Sequence, residues 1–353
     1  MKALVLCGGK GTRLRPLTHT LPKQLIPIAN RPIVHYVMDH LRAAGVQDVG
    51  VIVAPETRDS IRESLAPNPW GLRFQFLVQE HPLGLAHALI VAREFTGRDP
   101  FIMYLGDNLV GSGLQPLVEL FREEHADAVV LLKEVADPTR FGVAELDGAG
   151  RLVRLVEKPE RPPSNLALVG VYIFSAAIHD AVSHITPSRR GELEITDAIQ
   201  RLLVTGRPVH GERLSTWWLD CGKKDDLLEA NRTVLDEWTQ RHIDGEVDQD
   251  SRILGRVDME RGARVERSEI RGPTVIGAGT VVQDAFIGPY TSIGQRCVIR
   301  NSALQHSVVL DGASVDGSER LEDSVLGRNA VVRKDGQRRP LRLMIGDDAE
   351  VLL

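Results

Sequence analysis

Residues 2–14 read Lys2-Ala3-Leu4-Val5-Leu6-Cys7-Gly8-Gly9-Lys10-Gly11-Thr12-Arg13-Leu14. After Lys2 the run to Cys7 is short and wholly apolar, which is how a strand buried on both faces of a parallel sheet reads. Three glycines in four positions follow, Gly8, Gly9 and Gly11. Without Cβ atoms, such a turn lets backbone N–H groups close on an anion. Two better-known Gly-rich loops do not fit. A P-loop requires Gly-Lys-Ser/Thr after four spacer residues, and here Gly9-Lys10 is followed by Gly11. A dinucleotide fingerprint requires a third glycine where this chain has Leu14. A plain strand-to-helix turn would account for Gly8–Gly11 alone. The cations that follow, Arg13, Arg15 and Lys23, suit a triphosphate better.

Outward from this stretch, short apolar runs alternate with amphipathic ones. Strands are expected at Lys2–Cys7, Val49–Ala54, Phe74–Val78, Phe101–Leu105 and Ala128–Val135. Helices are expected at Pro32–Ala44, stopped by Gly45, and at Ile61–Leu65, Gly84–Arg93 and Leu114–His125. This alternation predicts a mostly parallel sheet covered on both faces. Ligands of such sheets sit at the C-terminal ends of the strands. That rule selects Gly8–Arg13, the loop Gln79–Leu85, and Asp107.

Lys224–Arg241 reads as a helix joining two domains, 1–240 and 243–353. Beyond it helical periodicity disappears. Aliphatics recur about every six residues at Ile270, Ile276, Val282, Ile287, Ile293 and Ile299, with the step from Val282 to Ile287 one residue short. Weaker echoes follow at Val309, Val315, Val325 and Val331. A six-residue aliphatic period with Gly after Ile276, Ile287 and Ile293 predicts a β-helix.

The composition narrows the function. Of 353 residues 42% are hydrophobic, enough for sizeable cores. Basic and acidic residues nearly balance, 43 against 48, for a formal charge of −5, which argues against nucleic acid as a partner. The longest apolar runs are far too short for a bilayer. The N-terminus enters a strand at once, with no signal-peptide cleavage pattern. Three sparse cysteines, Cys7, Cys221 and Cys297, argue against a disulfide framework and for a reducing cytoplasm.

Longer motifs carry a resemblance. Leu6-x-Gly8-Gly9-x-Gly11-Thr12-Arg13-Leu14-x-Pro16-Leu17-Thr18, then Pro22-Lys23-Gln24-Leu25-x-Pro27, resembles the signature of the sugar nucleotidylyltransferases. Further landmarks fall in family order. They are Gln79–Ala88, Leu105-Gly106-Asp107-Asn108, Phe141-Gly142-Val143, Glu157-Lys158-Pro159, Ser164-Asn165 with Gly170-Val171-Tyr172, Arg190–Asp197, and Trp217–Gly222. Together with the β-helix tail, the whole chain is similar to glucose-1-phosphate thymidylyltransferases of the long form. The resemblance implies a Rossmann-like, mixed and mostly parallel sheet domain followed by a left-handed β-helix. It implies dTTP and glucose 1-phosphate as substrates, and Mg²⁺ as cofactor. Arg13 and Lys23 would bind the triphosphate, with Leu6, Gly8, Gly9, Gly11, Thr12 and Gln24 around the nucleotide. Gln79 and Gly84 would meet the base. Asp107 and Asp220 would hold the metal. Lys158 and Arg190 would grip the sugar phosphate, Glu157 would accept from sugar hydroxyls, and Gly142, Leu168 and Tyr172 would line the sugar. The catalytic set is Arg13, Lys23, Asp107 and Lys158. A homo-oligomer is expected.

Two departures from the family stand beside the site, Cys7 where Ala is usual and Cys221 where Thr is usual. A third, Phe141 in place of Tyr, removes a phenolic hydrogen bond. Other functions also bear on the tail and the base. β-Helix tails serve some acyltransferases, and His306 is the candidate base, with no evident acid partner in the sequence. A uridylyltransferase is a near alternative, since uracil differs from thymine by one methyl group. A non-catalytic sugar-nucleotide sensor would not need the full set Arg13, Lys23, Asp107 and Asp220.

Overall fold

The computed structural model describes residues 1–9, 11–333 and 343–352; Lys10, within the Gly-rich turn, lies outside them. The chain packs as two compact units, residues 1–9 with 34–220, and residues 10–33 with 221–353. This division differs from a cut at residue 240. The coils of the tail do begin at His242–Ile243, but the helix Lys224–Trp238 and the segment 10–33 pack with them.

The first unit is built on a nine-stranded sheet. Its central path runs Leu152–Glu157, Gly142–Leu146, Leu166–Phe174, Phe101–Leu105, Lys2–Leu6, Asp48–Val53 and Arg73–Val78. Ala128–Glu134 also pairs with Leu166–Phe174, and Val209–Arg213 lies beside it. Lys2–Leu6 is parallel to both of its neighbours, and Asp48–Val53 is parallel to Arg73–Val78. Leu166–Phe174 runs antiparallel to the strands on either side, so the sheet is mixed. The apolar runs have the expected cause. Leu4, Phe101, Met103, Val130, Tyr172 and Phe174 lie in one core, and Val5, Ile102, Tyr104 and Val129, at the alternate positions, are just as buried. Both faces are therefore covered, and the strands show no polar alternation.

Helix limits shift slightly from the sequence expectation. The helix expected at Gly84–Arg93 runs Leu85–Val91, then breaks at Ala92 before a short turn Arg93–Thr96. The one expected to reach Arg241 ends at Trp238, because Thr239 adopts extended angles (φ −71°, ψ 128°). Arg241 instead reaches the carbonyls of Ile253 and Gly255 at 3.3 and 3.0 Å.

In the second unit, the described residues from His242 onward form three parallel sheets of seven, seven and five strands, the architecture of the left-handed β-helix. Ile270 pairs with Ile287, Ile276 with Ile293, and Val282 with Ile299, each seventeen positions on. A coil is thus one residue short of three sixes, which explains the short step after Val282. The coils do not degrade after Ile299. Leu304, Val309, Val315, Leu321, Leu326 and Val332 continue the inward stack. The six-residue pattern is less evident there because Leu replaces Ile or Val at Leu304, Leu321 and Leu326, and because Ile299 pairs with Val315 only sixteen positions on. Val331, expected to point inward, is half-buried, and its neighbour Val332 is the buried one.

His306 requires a correction. Its Nδ1 lies 2.5 Å from Asp323 Oδ1, one coil away, so an acid partner exists. Its Nε2 is buried without a hydrogen-bond partner among the described residues. No helix of the described residues is long and apolar enough to cross a membrane.

Candidate functional site

The strand ends of the first unit bring several expected residues together. After Leu6 the chain continues the sheet pairing through Cys7, whose N–H bonds Ile52 O at 2.7 Å, and Gly8 follows. Gln79, directly after Arg73–Val78, bonds Val53 O through its backbone N–H at 2.9 Å. Gly8 and Gln79 are neighbours, since a Cβ on Gly8 would lie 3.4 Å from Gln79 Oε1. The Gln79 amide nitrogen donates to Gly84 O at 3.3 Å and lies 2.9 Å from His87 Nδ1. Gly84 has φ 105°, and a Cβ there would collide with the backbone of Leu193. Glycine is therefore required at position 84 by the close approach of Leu193. The two segments are joined there by Leu193 N–H to Leu83 O at 2.7 Å and Ala86 N–H to Leu193 O at 3.0 Å.

Asp107 follows the strand Phe101–Leu105 in a tight turn and is 5% exposed. Asn108 Nδ2 donates to its Oδ1 at 3.4 Å. The same Asn108 accepts from Trp218 Nε1 at 2.7 Å and from Gly170 N–H at 3.3 Å. The short strand Trp218–Asp220 pairs with Asn108–Val110, with Asp220 opposite Asn108. Asp220 is therefore set opposite the residue that follows Asp107, although the two acids are distant in sequence. Among the described residues no group of three or more His, Cys, Asp or Glu side chains could hold a metal. Two carboxylates suit Mg²⁺, which commonly takes one or two and fills its shell with water and phosphate oxygens.

A second cluster forms where Leu152–Glu157 ends. Glu157 Oε1 receives Arg190 Nη1 at 3.1 Å and Lys158 Nζ at 3.4 Å, and Thr196 Oγ1 donates to its Oε2 at 3.1 Å. Lys158 has φ 38°, and its N–H bonds Phe141 O at 3.0 Å. A non-glycine residue in this region is uncommon, and such positions gather at ligand sites. Arg190 also meets Glu192 at 2.8 Å and Glu194 at 3.6 Å. Burial raises the Glu194 and Asp197 carboxyls above their ordinary range, and the charge of Glu157 adds to the effect. A Cβ on Gly142 would lie 2.5 Å from Thr196 Cγ2, 3.3 Å from Glu157 Oε2 and 3.6 Å from Leu168 Cδ2, so the Gly142 backbone rests on this cluster. Tyr172 departs from expectation. It is 3% exposed and stacks on Phe174 at 5.7 Å, so its ring packs the core instead of walling a pocket. The sequence reading missed Thr196, Glu194 and His87, although all three lie inside motifs it quoted.

In the second unit, Gly11 has φ 61°, and a Cβ there would sit 3.0 Å from Thr18 Cγ2 and 3.1 Å from Lys23 Cβ. Gly11 O accepts from Thr18 Oγ1 at 2.7 Å and from Leu14 N–H at 2.9 Å, which folds the turn carrying Thr12 and Arg13 back toward Lys23. Thr12 and Arg13 are exposed and Lys23 is half-buried. Gln24 is 1% exposed, and its Oε1 has no hydrogen-bond partner among the described residues. The tail supports this segment. Asn231 Oδ1 accepts from Ala29 N–H at 2.9 Å and from Ser292 Oγ at 2.5 Å. Asn30 Nδ2 donates to Ile293 O at 2.6 Å, and Thr20 Oγ1 donates to Asp347. All three cysteines are buried.

Residues 2–237 match the family described as nucleotidyl transferase. The chain is 49% identical to a glucose-1-phosphate thymidylyltransferase of Streptomyces griseus, over 98% of each chain. It is 46% identical to another so named from Streptomyces antibioticus, over 99% of each. Among solved structures it resembles a UDP-glucose pyrophosphorylase complexed with UDP-glucose, with a TM-score of 0.61 and 27% identity, covering 67% of this chain and 98% of that one. With Gly8 against Gln79, Asp220 opposite the residue that follows Asp107, and cations gathered on Glu157, these likenesses place the chain in the nucleotidyl transferase family.

Proposed function

We propose that the protein transfers a thymidylyl group from dTTP to glucose 1-phosphate, giving dTDP-glucose and pyrophosphate. A sugar-phosphate oxygen attacks the α-phosphorus, the bond from that phosphorus to the β-phosphate oxygen breaks, and pyrophosphate leaves with the electron pair. The observation that carries this reading is the meeting of Lys158 and Arg190 on Glu157, two cations gathered where a phosphate would bind. Full-length likeness to thymidylyltransferases supports it.

The chemistry needs no protein nucleophile, because the sugar phosphate is already ionised. What it needs is relief of repulsion between two anions and of charge on the leaving group. Arg13 offers a bidentate fork to the triphosphate and Lys23 a point charge. Gln24 is assigned to the nucleotide by resemblance, and its buried Oε1 does not itself open onto a ligand. Asp107 and Asp220 would hold Mg²⁺, which would supply positive charge beside the reacting phosphates. Lys158 and Arg190 turn from Glu157 to the sugar phosphate, leaving that carboxylate to accept from sugar hydroxyls.

Gln79 supports a base with an N–H at its Watson–Crick edge, which both thymine and uracil have. One methyl group separates them by only about 1–3 kcal/mol, so UTP is expected as a slower substrate. The His306–Asp323 pair favours an acyltransferase reading of the tail, but the buried Nε2 opposes it. Pyrophosphate release measured with dTTP, UTP and dCTP, together with thiol release from acetyl-coenzyme A, tests these alternatives. Activity in the order dTTP, UTP, dCTP without thiol release supports the proposal; thiol release abolished by His306→Ala would favour the other.

A further inference from the structure

The Gln79 side chain has a fixed sense. A main-chain carbonyl only accepts, so the bond to Gly84 O at 3.3 Å determines which end of the amide is nitrogen. The second hydrogen on that nitrogen points to His87 Nδ1 at 2.9 Å. Nδ1 must then carry a lone pair, which makes the imidazole neutral with its proton on Nε2. With the NH₂ group committed twice, the carbonyl oxygen is the end turned toward Gly8, whose Cβ would lie 3.4 Å from it. His87 is the third residue of the helix Leu85–Val91, so a rigid element sets its position.

We propose that His87 is a positioning residue that locks the Gln79 amide with its oxygen outward as an acceptor, so that the site selects pyrimidines bearing a ring N–H over cytosine. The inference rests on the reading of Gln79 as the base contact. Thymine and uracil offer an N–H at N3, whereas cytosine offers a lone pair there and would face the Gln79 oxygen in repulsion. Burial, and then the charge of His81 in the loop before the helix, hold the His87 pKa below its ordinary value, which favours the neutral ring. Protonation would set an N–H against the Gln79 NH₂, and the amide would turn round or let go.

The test uses the full-length protein with His87→Ala, His87→Asn and Gln79→Ala, reading kcat/KM for dTTP and for dCTP. His87→Ala should lower the dTTP/dCTP ratio about tenfold, the scale of one net hydrogen bond, through KM for dTTP and with KM for glucose 1-phosphate unchanged. His87→Asn places a side-chain oxygen near the former Nδ1 and should keep the ratio. In acid, KM for dTTP should rise more steeply in the wild type than in His87→Asn. If Gln79→Ala lowers the ratio while His87→Ala does not, the positioning role is wrong. If neither variant changes it, the reading of Gln79 fails and takes this proposal with it. Equal losses for both nucleotides in His87→Ala and His87→Asn would show a merely structural histidine and overturn the inference, as would identical acid profiles.

Discussion

Arg190 and Lys158 converge on one oxygen, Oε1 of Glu157, at 3.1 and 3.4 Å. The two cations arrive from different directions, one at the end of a strand in a left-handed backbone conformation and one on the loop before the helix Ile195–Val204. Both are thereby gathered at the proposed sugar-phosphate position. Lys158→Ala should therefore raise KM for glucose 1-phosphate about ten- to hundredfold, the range for one charged hydrogen bond, and change KM for dTTP far less. Steady-state kinetics varying each substrate in turn would show it. Equal losses for both would make Lys158 a structural residue.

Strand pairing sets Asp220 opposite Asn108, the residue next to Asp107. Asp107→Asn should cut kcat by about a hundredfold or more, the scale for losing one key electrostatic stabiliser. Its fold, monitored by circular dichroism, should persist. Near-normal turnover would remove Asp107 from the metal site.

Much of this was legible in sequence, for physical reasons. Strands buried on both faces leave unbroken apolar runs, so Phe101–Leu105 is read to the residue. Turns that require a positive φ, as at Gly11 and Gly84, carry glycine and so show in the sequence. What stayed hidden depends on tertiary pairing. That Gln79 leans on His87, that Thr196 caps Glu157, and that Leu193 fills the space beside Gly84 follow from how separate segments meet, which no local period encodes. Tyr172 misled because an aromatic in a strand reads alike whether it faces ligand or core. The later coils were underread because Leu304 and Leu321 stand where the pattern led one to expect Ile or Val.

The tail is more than a spacer. Asn231 ties Ala29 and Ser292 together, and Thr20 reaches Asp347, so the segment bearing Arg13 and Lys23 is fastened to the β-helix. Deleting residues from Ile243 onward should raise KM for dTTP about tenfold or more, since small misplacements of binding groups are costly. Asn231→Ala should move it in the same direction by less. Unchanged dTTP kinetics in the truncated protein would mean the tail does not support this segment.

Two histidines, buried His179 and half-buried His40, are expected to make stability fall in acid. His179 is 8% exposed and its Nε2 lies 2.8 Å from Thr96 Oγ1. Burial, and then Arg93, hold its pKa below the ordinary value, and burial does the same for His40 against the opposing pull of Asp39. A depressed folded-state pKa means that the unfolded chain binds the proton first. The stability present above the unfolded value of about 6.5 is therefore lost as pH falls below it. Urea unfolding at successively lower pH should show a falling midpoint, and His179→Gln should flatten the decline. A parallel decline in the variant would place the acid sensitivity elsewhere.

The central claim is nucleotidyl transfer between dTTP and glucose 1-phosphate, and ³¹P NMR of the reaction observes it directly. With both substrates and Mg²⁺, the account predicts that dTTP and glucose 1-phosphate signals fall together while those of a sugar nucleoside diphosphate and pyrophosphate rise in equal amounts. Pyrophosphate formed without glucose 1-phosphate, or an unchanged glucose 1-phosphate signal while dTTP is consumed, would contradict it.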